Sequence, residues 1–140
     1  MTNSEKLRNV LRYRNKINNQ IKLIAYYEQM SYTLGGIDYS VERVDRTRTF
    51  EAPFEKWIYK RIEAEEKLEV MKQELNRLID EAGALIEKLD NEDYKMILTG
   101  RYLQDKDWDT ITHYVHLSIA TTYRYHKMAL KALDKIDSRW

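Results

Sequence analysis

Cysteine is absent from the 140 residues, so neither a disulfide framework nor a thiolate metal site is available, and a reducing cytoplasm is the expected setting. Proline occurs once and glycine four times, too few for a turn-rich sheet protein, so the expected class is all-α. No apolar run approaches the length that spans a bilayer, and the start Met1-Thr2-Asn3-Ser4-Glu5-Lys6 lacks the basic opening and apolar core of a signal peptide. A soluble protein with no membrane partner is expected. A glycine-rich phosphate loop is missing too, as is any recognisable pairing of nucleophile and base, so neither an enzyme nor a cofactor is anticipated. Nor is there a large excess of charge: the net value is +1, and any nucleic-acid reading must rest on where the charges sit.

What the chain does have is charge, 34% of residues, laid out at helical spacing. From about Glu5 to Leu34 the residues Leu7, Val10, Ile17, Ile21 and Ile24 form one stripe, with Arg14 filling the missing step. Gly35-Gly36 is the expected stop. The segment 35–52, carrying Arg43, Arg46 and Arg48 among Val41, Val44 and Phe50, reads as an irregular loop, with a short strand as the alternative. Pro53 suits a first helical turn. From there to about Leu89, the residues Trp57, Arg61, Ala64, Leu68, Met71, Leu75, Leu78, Ala82, Leu85 and Leu89 alternate four and three apart, a coiled-coil-like seam. A helix so long needs a surface to lie on: the first helix folded back as an antiparallel hairpin, a second copy in a homodimer, or both. The expected division is a helical hairpin over 1–90 and a separate unit over 91–140.

Asp90-Asn91 supply a turn and a cap, and three shorter patterns follow: Glu92 to Leu103, Trp108 to Val115, and Ser118 to Ile136. Three helices on short turns make a trihelical unit. In a helix-turn-helix the second helix of the motif offers its leading end to the major groove while the first crosses behind it. On that template Ile111 and Val115 anchor the first helix, Leu117 fills the turn, and Tyr123, Leu130 and Leu133 anchor the second, with Met128 also available for packing. Outward positions are then Ile119, Ala120, Thr121, Thr122, Arg124, Tyr125 and Lys127. The candidate DNA-contacting set is Ser118, Ala120, Thr121, Thr122, Arg124, Tyr125, Lys127 and Lys131. Arg124 and Thr121 are placed at bases, Lys127 and Lys131 at phosphates, and Tyr125 at a phosphate oxygen.

Arg101-Tyr102-Leu103, Trp108-Asp109-Thr110-Ile111-Thr112, Leu117-Ser118 and the run from Tyr123 to Leu133 together resemble region 4 of bacterial sigma factors. The resemblance is closer to short phage and prophage proteins of Gram-positive bacteria related to the RinA and ArpU type regulators, in which a helical part precedes a sigma-like helix-turn-helix. It covers about a third of the chain closely. It implies binding to double-stranded DNA, control of phage late transcription in the cytoplasm of a bacterial host, and contact with host RNA polymerase. Thr112 stands where such proteins usually carry Ala, so its hydroxyl needs a backbone acceptor. His116 stands where Gly or Asn is common. A second class of function is an adaptor for RNA polymerase or for phage packaging machinery, its diverged helix-turn-helix and coiled-coil surface turned to protein.

Other patterns have plainer readings. Asp105, Asp107 and Asp109 alternate like a calcium loop, but Thr110 stands at the glycine position and His116 at the glutamate position, so a turn and a helix cap are expected instead. His113 and His116 lack further ligands, and no metal is expected. His126 reads as a packing residue. Arg61, on the seam, is expected at a wet end or with its charge turned outward.

Overall fold

The computed structural model describes the backbone of residues 2–40 and 53–136 and the side chains of 2–32 and 54–136. All regular structure among the described residues is helical: α1 (Asn3–Ser40), α2 (Pro53–Ile86), α3 (Glu92–Leu98), α4 (Trp108–Val115) and α5 (Ile119–Asp134). The turn after α3, Thr99–Leu103, is wound as a π-helix, where one continuous α-helix was expected. The expected arginine-bearing loop lies, from residue 41 onward, outside the described residues. Two boundaries also differ. α1 runs through Gly35-Gly36 to Ser40, because glycine costs a helix only about 1 kcal/mol and does not compel a stop. α2 ends at Ile86, and tighter bonds from the amides of Lys88 and Leu89 to the carbonyls of Leu85 and Ile86 close it.

The compact units do not divide at residue 90. One comprises Met1–Arg14 with Glu74–Trp140, the other Asn15–Gln73. The first unit holds the larger core: Leu7 and Val10 of α1, Ala82, Leu85 and Ile86 of α2, Leu98 and Tyr102, and Ala129 and Leu133 of α5 are all buried in one cluster. Three short helices cannot enclose a core by themselves, so the start of α1 and the end of α2 complete it. The ends of α1 and α5 also satisfy each other. Asn3 Nδ2 donates to the carbonyls of Leu133 at 2.9 Å and Ile136 at 2.8 Å, while the Asp134 carboxylate accepts from the Ser4 amide at 2.7 Å and the Ser4 hydroxyl at 3.0 Å. Each helix end thereby gains partners for groups that have none within the helix. Arg14, the odd member of the α1 stripe, has the same kind of role. Its Nη1 and Nη2 donate to the carbonyls of Tyr102 and Leu103 at 2.9 and 2.7 Å, past the end of the π turn. A smaller core of Ile97, Ile111 and Val115, with Leu117, Trp108 and Tyr125 against it, joins α3 to α4 and α5. Gly100 lets these elements close, since a β-carbon there would stand 3.1 Å from Ile111 Cγ1.

In the second unit the α1 and α2 segments run in opposite directions. Gln20 Nε2 donates to the Ala64 carbonyl at 2.9 Å, and further along α1 the rings of Tyr26 and Tyr27 meet Trp57, earlier in α2. Ile17, Ala64 and Met71 are buried, whereas Ile21 of the expected stripe is largely exposed. Arg61 carries its charge toward Glu65, 3.9 Å away, and its Nε has no hydrogen-bond partner. No described helix is long and apolar enough to cross a membrane.

Candidate nucleic-acid interface

Short side chains close to each helix end build the α4–α5 region. Asp107 Oδ1 accepts from the Thr110 amide at 2.8 Å and caps α4. A hydrogen bond from the Thr110 side chain first, and that amide bond second, hold the Asp107 carboxyl below its usual range. Asp105 takes the left-handed conformation in the preceding turn. The Thr112 hydroxyl finds its backbone acceptor at the Asp109 carbonyl, 2.7 Å away. α4 ends at His116, whose left-handed backbone (φ 56°, ψ 40°) redirects the chain and whose amide bonds the Thr112 carbonyl. Ser118 then starts α5: its Oγ accepts from the Thr121 amide and donates to Thr121 Oγ1.

The buried face of α5 is the row Thr122, His126, Ala129 and Leu133, spaced four, three and four apart. Thr122 is 0% exposed and its hydroxyl donates to the Ser118 carbonyl at 2.9 Å. His126 stacks on Tyr102, lies edge-on to Trp108, and has Nε2 2.8 Å from the Tyr102 hydroxyl. Burial, with Arg101 and Arg8 adding repulsion, lowers its pKa to about 4, so the ring is neutral at pH 7. On the opposite face of α5, Ala120, Arg124, Lys127 and Lys131 form an exposed row. Among the described residues none of these three cations has a carboxylate within ion-pair distance.

A family model described as a protein of unknown function, DUF1492, matches residues 56–134, more than half of the chain. The chain belongs to the DUF1492 family. No curated protein and no solved structure matches it. The matched span begins in α2 and ends at the last residue of α5, so it contains the whole α3–α5 region of this DUF1492 protein.

Of the eight residues expected at DNA, Ala120, Arg124, Lys127 and Lys131 share the open face of α5, and Thr121 sits at its edge. The other three are placed as follows. Thr122 is inside the core, because the buried row starts there and not at Tyr123. Ser118 is exposed, but its hydroxyl is committed to Thr121 as the helix cap. Tyr125 is half-buried, its ring edge-on to Tyr94 and packed against the cluster of Ile97, Ile111 and Val115. The same shift of register leaves Tyr123 and Met128, expected inward, each 44% exposed, with Tyr123 edge-on to Trp108 at 5.0 Å. Sequence reasoning missed Arg101 and Arg8 in this DUF1492 protein. The Arg101 guanidinium lies over the Trp108 ring at 5.1 Å, and both arginines are close enough to bear on His126. Only the Arg-Tyr pair at 101–102 offered a local signal. Among the described residues no three His, Cys, Asp or Glu side chains gather as a metal site requires.

Proposed function

We propose that this DUF1492 protein is a phage-type transcription regulator that binds double-stranded DNA, with α4 and α5 acting as a sigma-like helix-turn-helix. The observation that carries the reading is the row Arg124, Lys127 and Lys131, exposed along the outside of α5 and, among the described residues, without a carboxylate at ion-pair distance, on the helix that follows the left-handed turn at His116. On this reading Arg124 takes a guanine edge, Lys127 and Lys131 take phosphates, and the α1–α2 segments join two copies and meet host RNA polymerase. The test is a fluorescence-anisotropy titration against duplexes from phage late promoters over a range of salt. Binding that weakens steeply with salt, with a slope reduced by about one in Lys127→Ala, is the expected result. No salt-sensitive binding at micromolar protein would end the reading.

A second reading is supported by the apolar side chains beside that row. Tyr123, Met128 and Tyr114 are all exposed in the same α4–α5 region, as a protein-docking adaptor would require. Purified RNA polymerase retained equally by the parent protein and by the double variant R124E/K127E, with no DNA binding by either, would favour it.

A further inference from the structure

The first turns of α5 present Ser118, Ile119, Ala120, Thr121, Tyr123 and Arg124 outside the core, and the Ser118 hydroxyl is committed to the cap. Ser118 Oγ accepts from the Thr121 amide and donates to Thr121 Oγ1, which leaves Thr121 one hydroxyl proton. Thr122 is buried and bonded to the Ser118 carbonyl. From Ser118 to Tyr125 there is no Asn, Gln, Asp or Glu, the side chains that read adenine or cytosine by paired or accepting bonds. What remains is one charged reader, Arg124, with the Thr121 and Tyr123 hydroxyls, and an apolar pair. Ile119 keeps 45% of its surface exposed immediately after the cap, and Ala120 is exposed next to it. An aliphatic pair at a groove-facing helix start has one apolar target among base edges, the C5 methyl of thymine. The cations that continue along the face of Ala120, with no carboxylate at ion-pair distance among the described residues, supply the charge complementarity to a phosphate backbone.

We propose that Ile119 and Ala120 select DNA by contact with thymine methyl groups in the major groove, beside a guanine held by Arg124. The inference rests on the DNA-binding reading above and specifies the kind of duplex it takes. The probe is a duplex enriched by the full-length protein from a random-sequence library, then resynthesised with deoxyuridine in place of thymidine, which removes only the methyl groups. Affinity is expected to fall about fourfold for each contacted methyl, and Ile119→Ala, melting at the parent temperature, should distinguish the two duplexes by a smaller factor than the parent does. Equal binding of both duplexes by the unaltered protein overturns the inference, as does an enriched sequence without thymine. Salt-sensitive binding with no enriched sequence also overturns it while leaving DNA binding intact. No binding to any duplex at low salt removes both.

Discussion

α2 and α5 are both amphipathic helices that carry several cations, yet they treat those cations in opposite ways. On α2, Arg61 faces Glu65, Lys72 faces Glu69, and Arg77 is held between Glu74 and Glu81, all one turn away on the same helix. That neutralisation is local, and it holds the Glu74 carboxyl below its ordinary range chiefly through the bond from Arg77. On α5, Arg124, Lys127 and Lys131 stand one turn apart with no carboxylate between them. Charges paired one turn apart support the helix that carries them, whereas under the proposed function the open row on α5 is what a polyanion would meet.

The largest break in this comparison comes from the inner side of α5. Leu133 is wholly buried with Leu7, Val10 and Leu85, so Leu133→Ala should cost about 2–5 kcal/mol in urea denaturation. An effect below 1 kcal/mol would mean that α5 is not anchored there. The outer side should behave differently. Arg124→Ala is expected to weaken specific DNA binding by about 1–3 kcal/mol with no change in melting temperature, while Arg77→Ala on α2 leaves DNA binding unchanged. Equal losses from the two would erase the contrast.

Protonation tests the same inner face. His126 is neutral in the fold with a pKa lowered to about 4, against 6.5 for the ordinary ring. The unfolded chain therefore binds more protons between those values, so the stabilisation is fully present above pH 6.5 and is lost as pH falls toward 4. Urea midpoints measured across that window should decline with acid in the parent protein and decline less in His126→Gln. The smallest change expected is at the turn. His116 carries a left-handed backbone that costs an L-residue roughly 1–2 kcal/mol. Glycine there removes this cost and adds chain entropy in the unfolded state, so His116→Gly should stabilise by at most about 1 kcal/mol, seen as a small rise in melting temperature.

The helical elements of α3 to α5 were legible because their signals are local. Asn91, Asp107 and Ser118 each cap the helix that starts just after them, and a short polar side chain before an apolar period announces such a cap without help from the rest of the chain. The α2 seam was legible for the same reason: every member from Trp57 to Leu89 is buried or half-buried. The register of α5 was not. Tyr123 and Thr122 are adjacent and differ by only 100° around the helix, and an aromatic ring looks a better core residue than a threonine. Thr122 is inside because its hydroxyl bonds the Ser118 carbonyl and its small volume lets α5 approach the core, while the larger Tyr123 ring is met at the edge by Trp108.

The amino-acid order alone determined the all-α class, the starts of α3, α4 and α5 and the basic outer row, since each depends on residues within one or two turns of each other. Tertiary structure decided the rest. Asn3 and Ser4 join the end of α5 some 130 residues away, Arg14 serves the carbonyls of Tyr102 and Leu103, and Leu7 and Val10 complete the core that holds Leu133. These pairings satisfy groups left open at helix ends, and which distant side chain reaches an open carbonyl is settled only when the helices pack.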